Sequence, residues 1–138
     1  MVIADTGFWL ALANSNDRHH RAATQALGAL TEGLITTWPV VTETCHLLAA
    51  RLTVDAEVSF IRSLAHGAAQ LFALDAADLP HIERLMEKYR DLPMDLADAS
   101  LVILAGRLGH GRILSTDKRD FRSYRWKHCA PFENLLDL

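Results

Sequence analysis

The chain has only two cysteines in 138 residues, and Cys45 and Cys129 stand far apart. Neither a disulfide framework nor CxxC metal spacing is available, so a reducing cytoplasm is the expected setting. Long apolar runs are also missing. None approaches the ~20 residues that span a bilayer, so membrane insertion is not expected. Met1 leads straight into apolar residues, without a basic stretch or a small-residue cleavage site, and export is not expected either. No repeat, low-complexity tract or Pro/Gly/Ser-rich linker divides the sequence. One domain over residues 1–138 is expected, large enough to bury a core without a staple. The seven histidines lack ligand spacing: His19 and His20 are adjacent and the others are scattered. Only His46, three residues after Glu43, falls near a candidate acid.

What is present is ordinary globular composition, 50% hydrophobic and 22% charged. The net charge of −3 is uneven, because Asp117 to His128 holds five basic residues against two acidic ones. The remainder is strongly acidic. A phosphate-rich partner is therefore compatible with the acidic total, although a solvated basic surface would have the same composition. Short apolar runs alternate with helical periodicity. Val2-Ile3-Ala4, Leu34-Ile35-Thr36, Gln70 to Leu74 and Arg112 to Ser115 read as strands, with a fifth, poorly marked strand near the C-terminus. Helices are expected from Gly7, over Arg18 to Leu30, from the Thr37 cap and Pro39 to Arg51, over Asp55 to Ala65, from Asp75 or Asp78 to Arg90, and over Asp95 to Leu108. The last is apolar nearly all round and should be largely buried. Strands separated by helices predict a three-layer α/β/α domain with a mainly parallel sheet.

In such a sheet the C-terminal strand ends form the ligand-binding edge. Asp5 ends the first strand and Asp117 the fourth, while Glu43 and Asp98 lie in the opening turns of helices that start from that edge. Asp95 and Asp120 stand close by. Each has a structural role open to it as well: Asp5 and Asp95 suit helix caps, Glu43 a solvated helix face, Asp117 and Asp120 turns. Asp98 is the least easily explained, because an unpaired carboxylate on so apolar a helix needs a counter-charge. Oxygen-only ligands clustered on one rim favour Mg²⁺ or Mn²⁺ over zinc. Thr6, Thr42 and Thr116 neighbour these acids and offer hydroxyls to water or phosphate.

These segments, taken together, resemble a known family. Val2-Ile3-Ala4-Asp5-Thr6, Val40-Val41-Thr42-Glu43, Met94-Asp95-Leu96-Ala97-Asp98-Ala99-Ser100-Leu101-Val102 and Ser115-Thr116-Asp117-Lys118-Arg119-Asp120-Phe121 are similar, in order and separation, to the motifs of PIN-domain ribonucleases of the VapC toxin type. The resemblance implies a five-stranded sheet ordered 3-2-1-4-5 and an Mg²⁺-dependent endoribonuclease leaving 5′-phosphate and 3′-hydroxyl ends. It implies Asp5, Glu43 and Asp98 as core metal-binding acids, with Asp117 preferred over Asp120 as the fourth and Asp95 explained by its cap. Thr6 and Thr116 would support them. It further implies RNA as substrate, a cognate antitoxin as protein partner and a homodimer. Gly7 stands where a small hydroxyl residue is frequent in the family. Lys118, Arg119, Arg122 and Arg125 are candidate phosphate contacts. Phe121, Tyr124 and Trp126 would stack on bases or complete the core.

Three other readings differ in kind. Asp5-Thr6-Gly7 matches the turn of aspartic proteases, which are all-β, unlike this helix-rich chain. Paired histidines would support a metal-independent ribonuclease. An inactive domain of the same fold would bind RNA or a protein without turnover.

Overall fold

The computed structural model describes residues 1–136. Strand β1 (Val2–Ala4) is followed by helices α1 (Thr6–Ala13) and α2 (His20–Ala29), then β2 (Leu34–Thr37), α3 (Trp38–Arg51) and α4 (Val54–Ala65). Strand β3 (Gln70–Phe72) leads through a 3₁₀ turn at Ala76–Asp78 into α5 (Leu79–Lys88), α6 (Leu96–Leu108) and β4 (Arg112–Leu114). The chain closes with α7 (Lys118–Ser123), a small hairpin of β5 (Arg125–Trp126) and β6 (Ala130–Pro131), and β7 (Glu133–Asn134).

Five strands form one sheet in the order β3-β2-β1-β4-β7, every pair parallel. This is the expected order 3-2-1-4-5. The weakly marked fifth position is Glu133–Asn134, because the antiparallel hairpin intervenes in the chain without joining the sheet. A two-residue strand carries too little apolar periodicity to be seen in sequence. The ladder of β3 ends at Phe72, short of the expected Leu74. Strand order reverses beside β1, with β2 on one side and β4 on the other. In sheets of this kind that position is where a ligand-binding crevice forms, at the strand ends.

Local chemistry explains the helix starts. The Thr37 side chain accepts from the Val40 N–H with Pro39 in the first turn, and Thr53 caps α4 in the same way. Asp75 and Asp95 each form a reciprocal capping box with an Asp three residues on. Gly109, with φ of 78°, ends α6 in the left-handed conformation that glycine adopts readily. The core is continuous from Val2, Ile3 and Ala4 through Ile113 and Leu114 to the buried run of α6, residues 99 to 105. α6 packs on α3, α5 and β2, which accounts for its apolar circumference. Among the described residues no helix is long and apolar enough to cross a membrane.

Candidate active site

Asp5 is the first residue beyond β1, and its N–H donates to the Leu114 carbonyl at 3.1 Å, carrying the β1–β4 pairing one residue further. Its carboxylate is thereby drawn against the end of β4. Oδ1 accepts from the Thr6 N–H at 2.7 Å and Oδ2 from the Ser115 hydroxyl at 2.8 Å. The cap role and the site role coincide in one side chain. Burial pushes the Asp5 carboxyl up to about 6; the Ser115 and Thr6 bonds oppose this, and the charges of Glu43 and Asp117 add to it.

Asp98 lies in the first turn of α6, where the Asp95 cap accepts from its N–H at 2.8 Å. Its Oδ2 accepts from the Tyr124 hydroxyl at 3.1 Å and, over a longer 3.4 Å, from the Asp95 N–H. Burial, then the Asp95 and Asp5 charges, push its carboxyl up to about 8 against those two bonds. The expected counter-charge is replaced by a neutral hydroxyl. Half-buried Glu43 on α3 is raised by burial and by Asp95, with Thr6 and Arg51 opposing. Asp117 caps α7 by accepting from the Asp120 N–H at 3.1 Å, and burial, followed by the Asp120 side chain, raises its carboxyl. Asp5, Glu43, Asp98 and Asp117 are thus linked into one set through their mutual charge, with Asp5 at its centre.

The supporting hydroxyls are divided. Thr6 Oγ1 is buried and closes no hydrogen bond of ordinary geometry among the described residues, although it lies near enough to Glu43 to favour the charged form. Thr42 instead donates back to the Trp38 carbonyl at 3.0 Å, so its hydroxyl is engaged within its own helix. Thr116 packs where a side chain at Gly7 would be: a Cβ there would meet Thr116 Oγ1 at 1.9 Å. His46 is exposed on α3.

Sequence reasoning passed over Ser115, Asn134 and the role of Tyr124. Fully buried Ser115 donates to Asp5 and accepts from the Asp117 N–H at 3.0 Å, joining two of the acids. Asn134 on the edge strand fixes Ser115 by accepting from its N–H at 3.1 Å and donating to its carbonyl at 2.8 Å. The only available signal was the Ser-Thr-Asp run at a strand end. Tyr124 is fully buried, with Phe121 and Tyr89 packed edge-on at 5.2 and 5.0 Å. Base stacking by Phe121 or Tyr124 is therefore ruled out by burial, and both complete the core. Lys118, Arg119 and Arg122 are exposed on α7, directly after Asp117, and Arg119 meets Asp120 at 3.4 Å. Arg125 follows in β5 with its guanidinium held by the Arg122 and Tyr124 carbonyls.

Among the described residues no three acidic, histidine or cysteine side chains close into a ready-made ligand set. Like-charged carboxylates repel and turn to local N–H and hydroxyl donors instead. Raised carboxyl pKa values, oxygen-only donors and an orphaned buried hydroxyl at Thr6 all suit a hydrated hard cation.

The PIN domain family matches residues 2–127. The chain is 35% identical to Ribonuclease VapC26 of Mycobacterium tuberculosis over 124 residues, 90% of this chain and 92% of that protein. Its fold is similar to the crystal structure of Mycobacterium tuberculosis VapC20, a toxin described as cleaving the sarcin-ricin loop. The TM-score is 0.80 at 19% identity, covering 86% of this chain and 92% of that one.

Proposed function

This chain belongs to the PIN-domain family, with a VapC ribonuclease among its relatives, and from that premise we propose that it is a divalent-metal-dependent endoribonuclease, the toxin of a toxin–antitoxin pair. What supports the reading most is that Asp5 feels the charges of Glu43 and Asp117, that Asp98 feels that of Asp5, and that all four carboxyls are held above the usual range. Such a set gains most by admitting a cation.

Asp5, Asp98, Glu43 and Asp117 would hold Mg²⁺ or Mn²⁺, with Asp95 and Asp120 at the margin. A bound ion would supply charge for the phosphoryl oxygens and would lower the pKa of water. The chain's own residues do the rest. Ser115 and Tyr124 fix the rotamers of Asp5 and Asp98. Thr6 Oγ1, which lies near Glu43, is placed to orient water or phosphate, and a carboxylate of the set accepts the proton of the attacking water. Exposed Lys118, Arg119 and Arg122 meet the RNA backbone without reading bases. No covalent nucleophile is required. The reading includes residence in the cytoplasm, a homodimer and an antitoxin that covers the crevice.

Mapping RNA ends after brief expression tests it, beside an Asp5→Ala control. Discrete new 5′-phosphate ends that vanish in the control are expected. Cleavage that survives chelator and leaves cyclic phosphates would instead point to the histidines.

A further inference from the structure

Charges on α5 are sorted by face. His81, Arg84, Leu85 and Lys88 recur at the spacing of one helical side, and together they form one wall of a cavity of about 250 Å³. Glu83 and Glu87 lie around a different concavity, with Leu79 and Met86. The opposite wall of the first cavity is built by Arg125, Lys127 and His128, over a floor that includes Val102 of α6. Among the described residues no carboxylate lines it.

A solvated patch of lysines would be scattered and unheld, whereas three of these cations, Arg125, Lys88 and Lys127, have partners that orient them. The Arg125 guanidinium binds the Arg122 and Tyr124 carbonyls at 2.6 and 2.9 Å, and its backbone N–H donates to the Tyr89 hydroxyl at 3.0 Å. Lys88 lies over the Tyr89 ring at 5.2 Å and Lys127 over Trp126 at 5.8 Å. Lys127 and His128 both take left-handed backbone, φ 48° and 69°, a conformation that non-glycine residues adopt at a cost. Asp78, the acid that acts on His81, is already engaged by Arg107 at 2.6 Å. Burial, followed by the charges of Arg84 and His128, makes His81 harder to protonate, in keeping with a crowded cationic site.

Two links tie the cavity to the acidic set, one through α6 and one through the paired tyrosines. Val102 follows Asp98 by one helical turn, about 6 Å along the axis. Tyr89, beneath Lys88, packs on Tyr124, whose hydroxyl holds Asp98.

We infer that this cavity is a phosphate-binding subsite that grips one backbone phosphate of a single-stranded RNA whose scissile bond lies at the acidic crevice. The inference rests on the ribonuclease reading. Exposed Arg84 presents a forked donor suited to a phosphodiester, Arg125 adds the N–H groups that its two carbonyl partners leave free, and the lysines add point charge. The subsite sets the register of the strand and leaves base choice to other contacts.

The test compares wild type with an Arg84→Ala/Lys127→Ala pair and with Arg21→Ala/Arg62→Ala, which removes equal charge elsewhere. Binding of a labelled oligoribonucleotide is measured in chelator over a salt series, and cleavage kinetics in Mg²⁺. The pocket pair is expected to bind about tenfold more weakly and to lower the salt slope by about 0.7, the value for one single-strand phosphate. Its KM rises about tenfold while kcat stays within about twofold, and the control pair moves neither. Thermal melts verify folding, and the single exposed Lys127→Gln repeats the test should the pair fail to fold. Pocket and control pairs that bind and cut alike would overturn the subsite while leaving the ribonuclease reading intact. Lost affinity in the pocket pair from a wild type that cuts no RNA would sink the ribonuclease reading and overturn the placement of a scissile bond, leaving the cavity as an RNA-phosphate site alone. Pocket-dependent binding of inorganic phosphate, with RNA binding unaffected, would reassign the cavity to a small free anion and overturn the proposal.

Discussion

Replacing Asp98 with asparagine should stabilise the metal-free protein and abolish its metal-dependent activity. The Asp98 carboxyl is pushed up to about 8 by burial and by Asp95 and Asp5. A carboxyl whose folded-state pKa exceeds its unfolded value binds more protons when folded. The stability it contributes is complete below the unfolded pKa, near 3.8, and is lost as pH rises through the folded value. A tenfold difference in proton affinity between the two states corresponds to ~1.4 kcal/mol. The full conversion overstates the effect, because Asp98 is only partly buried and shares its field with Asp5 and Asp95. After screening, about 2 kcal/mol at pH 8 is the expected penalty, falling below about 1 kcal/mol at pH 5.

Asparagine removes that penalty at little structural cost. The Tyr124 hydroxyl and the Asp95 N–H both donate to the same atom, Oδ2, so one amide oxygen preserves both bonds. In chelator at pH 8 Asp98→Asn should therefore melt roughly 4–8 °C above wild type, with the gap narrowing at pH 5. Saturating Mg²⁺ should reverse the order, since a ligand at about 100 times its Kd stabilises by about 2.7 kcal/mol and the variant binds it less well. Scanning melts at the two pH values, with and without metal, decide the matter. A variant that melts below wild type in chelator at pH 8, or a gap that ignores pH, would refute the electrostatic account.

Three further substitutions probe the scaffold of the site. Ser115→Ala leaves Asp5 Oδ2 and the Asp117 N–H without their shared partner, and urea unfolding should show a loss of about 1–3 kcal/mol together with reduced cleavage. Tyr124→Phe keeps the packing of a fully buried ring but deletes the donor to Asp98; Mn²⁺ titration should show affinity weakened about tenfold or more, with a melting point in chelator lowered only slightly. Gly7→Ala drives a Cβ into Thr116 Oγ1 and should cost about 1–3 kcal/mol, while the double variant with Thr116→Ala, which removes that oxygen, should recover most of the loss.

Strand ends and helix starts were legible because their signals are local. Asp5, Thr37, Thr53 and Asp95 cap helices through side chains that reach no more than three residues along the chain, and the apolar circumference of α6 announced its burial. Shared placement on one sheet edge then follows from parallel topology. What sequence hid were contacts closed only by the tertiary fold. Ser115 meets Asp5 across 110 residues and Tyr124 meets Asp98 across 26. The six residues of α7 are too few, and too dominated by charge, to show a helical period. The basic cavity was invisible for a similar reason: Arg84 and Lys88 on α5 become its wall only when the hairpin brings Lys127 and His128 opposite.

The replacement of an expected counter-charge by a hydroxyl has a functional logic. A lysine or arginine beside Asp98 would have lowered its pKa and stabilised the fold, but it would also have neutralised the set that, on the proposed function, admits a metal. Tyr124 donates a hydrogen bond and leaves the net charge untouched, as Ser115 does for Asp5. Most cations of α7, β5 and α5 stand beside the carboxylates, and those that act on the set, Arg51 on Glu43 and Arg119 on Asp117, count for less than burial. On the proposed function, that placement favours negative potential at the acid set for a divalent ion and positive potential at its flank for phosphate, two fields that would cancel were all the charges interleaved.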